Sequence, residues 1–209
     1  MRNVFFVFLA MLQLPLFAQN EEVDADAVLD KALASIKAGL PVRMDYDYKV
    51  FDDNTELLLN DKGIIYIEDN RYALLMQDMK VWCDGETQWS YMREINEVYI
   101  TDAAADEAQN LSPLYVMEHY RDGYSRSAVS KDGFTAVMLK AMNEDSDVEC
   151  VLLLISEENY RLVSMIISMP GQGAVEIDLD GYVAKCGVDD DVYTCPLDDF
   201  REAEVIDMR

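Results

Sequence analysis

Residues 41–51, PVRMDYDYKVF, alternate strictly between apolar and polar side chains. Val42, Met44, Tyr46, Tyr48 and Val50 fall on one face of an extended chain; Arg43, Asp45, Asp47 and Lys49 fall on the other. A period of two predicts a strand with one dry and one wet face. The stretch just upstream has a different period. Val28, Leu29, Ala32, Leu33 and Ile36 recur at helical spacing from Asp24, a candidate N-cap, to Leu40, and Gly39 followed by Pro41 ends the helix. The chain passes from helix to sheet at Pro41.

Downstream, short strand-like runs follow one another closely, near Glu56–Asn60, Gly63–Glu68, Arg71–Gln77, Met79–Cys83, Gln88–Met92 and Glu97–Thr101. Polar turns join them: NDK, EDN, DGET and REIN. Links this short leave no room for crossover helices, so the pairing is expected to be antiparallel throughout. One interruption follows. Residues 102–110 are rich in alanine and acid, and SPLYVMEHY comes next, with Ser112 as N-cap and Pro113 at the first helical position. Leu114, Met117 and Tyr120 would share a face of this helical insertion, around residues 102–121. Strands then resume near Tyr124–Ser130, Thr135–Ala141, Val148–Ser156, Arg161–Ser168, Val175–Lys185 and Val192–Thr194. The expectation is one domain, residues 19–209, with about a dozen antiparallel strands, an N-terminal helix and a helical insertion.

Residues 1–18 read as a secretory leader, with Arg2 in its n-region, Val4–Leu12 as apolar core and Leu16, Phe17 and Ala18 before the cut. Gln19 follows rather than Cys, so no lipid anchor is expected at the new terminus. The net charge of the 209-residue chain is −24, which repels nucleic acid and anionic lipid surfaces. With 51% hydrophobic residues, the chain is not a disordered acidic tail. An exported chain meets an oxidising space, where four cysteines allow three pairings. Cys186 and Cys195 flank the turn-like GVDDDVYT as a candidate disulfide across a hairpin; buried free thiols are the alternative. Cys83 and Cys150 have no evident partner.

Signs of catalysis are sparse. His119 is the only histidine, no serine sits in a G-x-S-x-G turn, and no Cys-x-x-Cys occurs. The run EIDLDG opens like a calcium loop, but Gly187 stands where the twelfth-position Glu belongs. Asn143–Asp147 and Asp189–Asp191 read as solvated turns. No enzyme, metal or cofactor is expected. What remains is apolar surface. The strands either collapse onto a dry core, which composition favours, or curl into an incomplete barrel whose concave face holds an apolar ligand.

The order of elements resembles the periplasmic outer-membrane lipoprotein carrier family, LolA. Three stretches carry the likeness: DAVLDKALASIKAGLPVRMDYDY at the start, DGETQWSYMREINEVYI in the middle, with Asp84, Gly85, Thr87, Trp89, Tyr91, Glu97 and Val98, and DVYTCPLDDFREAEVIDMR at the end. Two departures stand out. The basic residue that ties the family's lid to its sheet has no counterpart in the Glu68–Asn70 hairpin, so a lid-to-sheet contact falls to the displaced Arg71. Cys195 occupies the family's aromatic position in the closing strand. The resemblance implies a curved, unclosed antiparallel half-barrel with helices over its concave face. It implies a monomeric periplasmic carrier of acylated lipoproteins or a related lipid, served by inner-membrane release machinery and an outer-membrane acceptor. The expected lining is Met44, Tyr46, Tyr48, Trp82, Trp89, Tyr91, Leu114 and Met117. An envelope lipid or lipoprotein sensor of the same fold is the alternative, and an enzyme using His119 in the same cavity is a third reading.

Overall fold

The computed structural model describes residues 23–103, 114, 117–118, 123–143 and 146–209. The leader, His119, and Ser112 with most of the insertion lie outside the described residues.

Helix α1 spans Ala25–Gly39. Asp24 Oδ1 accepts the backbone N–H groups of Asp26 and Ala27 at 3.0 and 3.2 Å, satisfying two donors that a helix start leaves open. Val28, Leu29, Ala32 and Ile36 are buried along one stripe, as their spacing predicts.

Twelve strands follow: β1 Val42–Phe51, β2 Leu57–Glu68, β3 Arg71–Met76, β4 Met79–Cys83, β5 Thr87–Met92, β6 Glu97–Asp102, β7 Tyr124–Lys131, β8 Phe134–Ala141, β9 Cys150–Ser156, β10 Leu162–Met169, β11 Gly173–Ala184 and β12 Glu204–Asp207. They form one sheet in the order β12-β6-β5-β4-β3-β2-β1-β11-β10-β9-β8-β7. β12 and β7 are its two edges, so the sheet is an open half-barrel. The strands β1–β6 run as a meander to one edge and β11–β7 to the other, and β1 joins them by pairing with β11, Tyr46 opposite Leu179. The connection from β6 to β7 must therefore cross from near one edge to the other. Of that connection, the described Leu114 and Met117 lie in the same buried cluster as α1.

Three expectations need correction. First, the pairing is not wholly antiparallel: β12 runs parallel to β6, with Val205 opposite Val98. β12 arrives through residues 185–203 rather than a hairpin, and that length allows a parallel approach. Second, Val192–Thr194 is not a strand. Asp190–Tyr193 is a short 3-10 turn, in which the N–H groups of Val192 and Thr194 bond the carbonyls three residues back. Third, NDK is not a turn. β2 runs straight through it, and the polar letter serves another end: the buried Asp61 carboxylate accepts the backbone N–H groups of Lys62, Gln77 and Asp78 at 2.7, 3.2 and 2.9 Å. It closes the β3–β4 turn from the neighbouring strand.

Gly63 follows directly. A Cβ at Gly63 would lie 2.1 Å from the Leu75 carbonyl oxygen and 2.8 Å from Met76 Cα, both backbone atoms of β3. In a flat sheet a Cβ stands clear of the next strand's backbone. Here β2 and β3 fold over toward the face that Gly63 shares with Ile65 and Ile67, and only a residue without a Cβ fits. This is a point of curvature that glycine makes available.

Apolar side chains occupy both faces of β3 and β4. On the helix side the core runs from Val42, Met44, Tyr46, Ile65, Leu74 and Val81 to Leu153, Met165 and Ile177. A second cluster lies on the opposite face: Ala73, Trp82, Val98, Ile100, Tyr193 and Cys195, with Trp89, Tyr91 and Phe200 against it. The C-terminal segment 186–203 covers this outer cluster like a strap. Elsewhere the outer face is charged. Lys49 Nζ sits 2.7 Å from both Glu176 and Asp178, and Lys62 pairs with Asp47.

Candidate functional site

The helix-covered face is built from alternate residues of nearly every strand. Met44 and Tyr46 on β1 are fully buried, and Tyr48 is half-buried against the same cluster. The Tyr46 and Tyr48 rings stack at 6.4 Å between centroids, 15° apart in plane. Burial raises the pKa of both phenols above the ordinary tyrosine value, and that of Tyr72 likewise. All three therefore stay neutral in any physiological buffer. Tyr72 donates to the Gln88 side-chain oxygen at 2.5 Å, so its polar end is bonded within the face. Thr135, also buried, shares a 2.9 Å hydrogen bond with Ser130 and reaches Glu157 at 3.2 Å. The face is mostly apolar inside an acidic molecule, and the buried Asp61 carboxylate, opposite Tyr48, is engaged by backbone donors.

Its cover is held at the periphery. Ser35 of α1 donates to the Asn159 carbonyl, Lys31 reaches the Tyr160 hydroxyl, and Arg126 of β7 pairs with Asp26 at 3.0 Å. The connection from β6 to β7 contributes Leu114 and Met117, buried, and Glu118, which pairs with Lys37 of α1 at 2.6 Å. Half of the Lys37 side chain is exposed, so this pair is a weak tie by the usual standard of surface ion pairs.

The eight residues read from the sequence as one lining divide between two faces. Met44, Tyr46, Tyr48, Leu114 and Met117 share the helix-covered face. Trp82, Trp89 and Tyr91 lie on the other, because Trp82 pairs with Trp89, and Trp89 and Tyr91 pair with Ile100 and Val98 of the outer cluster. The phase of β4 sets this: Val81 and Cys83 face the helix side, so Trp82 cannot. Phe200 from the strap meets Trp82 edge-on at 5.6 Å and Tyr91 at 4.5 Å. Arg71 also points outward. Its described partners are Glu68 at 2.5 Å, Asp190 at 3.1 Å and the Tyr193 ring at 4.7 Å, so it fastens the strap, not the insertion. All four cysteines are free thiols. The free-thiol alternative holds over the candidate Cys186–Cys195 bridge: Cys186 donates to the Pro41 carbonyl at 3.3 Å and Cys195 is buried in the outer cluster. The segment between them is a strap laid on the sheet and not a hairpin, which turns the two thiols to different neighbours.

The strap leaves an open cleft of about 580 Å³ on the outer face, between Tyr66, Leu75 and Trp82 of the sheet and Val188, Val192, Cys195 and Pro196. Sequence reasoning missed it; the only signal was the apolar character of both faces of β3 and β4. Among the described residues no group of three or more His, Cys, Asp or Glu side chains is arranged to hold a metal ion, and no helix is long and apolar enough to cross a membrane.

A family model described as "Outer membrane lipoprotein carrier protein LolA" matches residues 14–172. No curated protein matches the sequence significantly. Among solved structures, an uncharacterized conserved protein from Thermus thermophilus superposes with a TM-score of 0.53 at 9% identity, over 88% of this chain and 98% of that one. A LolA superfamily protein from Nitrosomonas europaea gives 0.44 at 10% identity, over 84% and 99%. A putative outer membrane lipoprotein-sorting protein domain from Vibrio parahaemolyticus gives 0.45 at 7%, over 85% and 100%.

Proposed function

We propose, from the premise that this chain belongs to the outer membrane lipoprotein carrier protein LolA family, that its helix-covered face holds the acyl chains of a lipoprotein or a related lipid. Family membership implies lipid or lipoprotein binding and a periplasmic location; the carrier role, toward the outer membrane, is our reading. The observation that carries it is a mostly apolar sheet face whose cover includes a half-exposed ion pair, Lys37 to Glu118. Each methylene shielded from water contributes about 0.8 kcal/mol, so acyl chains do not cross an aqueous space bare. A carrier must also release what it holds. Among the described residues, displacing Leu114 and Met117 from the face breaks the weak Lys37–Glu118 pair and exchanges one apolar neighbour for another.

Such a protein needs no catalytic group, and we read the site as non-enzymatic. Its interior tyrosines are neutral, and Tyr72 is bonded to Gln88. The partners of a carrier would be a membrane complex that loads it and an acceptor that unloads it. The test is to purify the protein from the periplasm, examine it by native mass spectrometry for bound acyl chains, and follow a labelled lipoprotein between membranes. Bound chains and transfer are expected. Consistently empty protein together with no transfer overturns the reading.

A further inference from the structure

Leu57, Leu58 and Leu59 stand together at the start of β2, 53%, 65% and 42% exposed. Three consecutive leucines in water are unusual on a strand whose other residues alternate. Two local features put them there. The β1–β2 register steps from Val50–Leu59 to Phe51–Leu57, so Leu58 is the extra residue of a bulge, a device that re-aims side chains at barrel rims. In addition, β3 pairs with β2 only from Gly63 onward, so residues 57–62 have no strand on that side.

The exposed leucines are continuous with the buried face. Leu59 lies opposite Val50, Val50 opposite Val175, Val175 opposite Ile167, Ile167 opposite Val151, and Val151 opposite Leu139. Along this cross-strand row the exposure falls from 42% at Leu59 to 7% at Val175, 4% at Ile167, 0% at Val151 and 1% at Leu139. The row ends on β8, one of the strands against which α1 packs. At the ordinary strand spacing its six residues span about 24 Å. It is an unbroken apolar track from solvent to the core beneath the helix.

We propose that Leu57–Leu59 form the entrance through which an acyl chain reaches the covered face, the chain lying along this row. The proposal rests on the lipid-holding reading above. An alkyl chain arriving from a membrane needs apolar contact before the cover opens, and the rim supplies it outside the cover. The track then offers contact at every strand, so no methylene returns to water during insertion.

The test uses the full mature chain and a fluorophore-labelled dipalmitoyl lipopeptide, mixed by stopped flow. Wild type is compared with the triple variant L57S/L58S/L59S and with I95S, which removes an equally exposed side chain from the β5–β6 turn. All three positions of the triple variant are exposed, so its melting temperature is expected to match wild type. Association and dissociation should both slow about tenfold in the triple variant, with Kd changed less than about threefold and I95S unaffected. Unchanged rates overturn the entrance while leaving the lipid site standing. Faster dissociation with unchanged association also overturns it, because the leucines would then hold the ligand rather than admit it. Failure of the wild-type chain to bind the lipopeptide overturns the lipid-holding reading itself, and the entrance with it.

Discussion

Replacing Gly63 with alanine should damage this fold more than any other single-methyl addition to its glycines with ordinary backbone angles. The added Cβ would sit 2.1 Å from the Leu75 carbonyl oxygen, 2.7 Å from its carbon and 2.8 Å from Met76 Cα. None of these belongs to a flexible side chain, so relief requires β2 and β3 to separate by more than an ångström. Overpacking alone costs about 1–3 kcal/mol. Separation also weakens the ladder around Gly63–Met76 and Ile65–Leu74, and each lost hydrogen bond adds roughly 1 kcal/mol. The sum, about 3–5 kcal/mol, is a large share of the roughly 5–15 kcal/mol that stabilises an ordinary domain. For a chain of this size it lowers Tm by about 10 °C. Urea unfolding of wild type, G63A and G187A, followed by circular dichroism, checks it. Gly187 has open space around it, so G187A serves as the control. A G63A variant within about 1 kcal/mol of wild type would refute the inferred fold-over of β2 onto β3 and the curvature built on it.

Three further outcomes are expected. Burial pushes the Tyr193 phenol up to about 12 from its ordinary 10, and its oxygen has no hydrogen-bond partner among the described residues. Because the folded-state value is the higher one, this residue's contribution is complete below pH 10 and is lost as the pH rises toward 12; Tyr193→Phe should flatten that part of the urea-midpoint profile, and an unchanged profile would count against it. Burial, with Asp199 nearby, holds the Cys195 thiol up to about 11, so alkylation at pH 8 should be slow in the native protein and complete in denaturant, with four thiols labelled without reductant; a mass two hydrogens short would show a bridge instead. Asp61→Ala strands the N–H groups of Gln77 and Asp78 and should cost about 2–3 kcal/mol by denaturation, with amide exchange quickening at the β3–β4 turn; unaltered exchange there would reject the capping role.

The helix and the first strand could be read directly because each buries one face. Asp24 caps where expected, and Met44 and Tyr46 face inward where the period of two puts them. The reading failed where that condition failed. In β4, Val81, Trp82 and Cys83 are all buried, since the strap covers one side and the helix-side core the other. A strand apolar on both faces carries no phase, so Trp82, Trp89 and Tyr91 could not be placed from pattern alone. Asp61 misled for a different reason. A polar triplet is a turn signal only when its side chains face water, and Asp61 instead serves two backbone donors of the β3–β4 turn. The strap was invisible because three aspartates and a tyrosine read equally as a turn or a strand end. Its docking depends on Arg71, more than a hundred positions away.

The seam between β1 and β11 carries a kinetic consequence. Tyr46 waits for Leu179, so the centre of the sheet cannot exist until most of the chain has been made. At ordinary synthesis rates of about 5–20 residues per second, that interval is on the order of ten seconds, during which Met44, Tyr46 and Tyr48 lack their partners on one side. Nor can the first half-meander settle as a finished unit, because its outer edge strand β6 is completed by β12 from the last residues of the chain. The apolar face thus needs cover before its own strands supply it, and a holding chaperone should matter more to the yield than any folding catalyst.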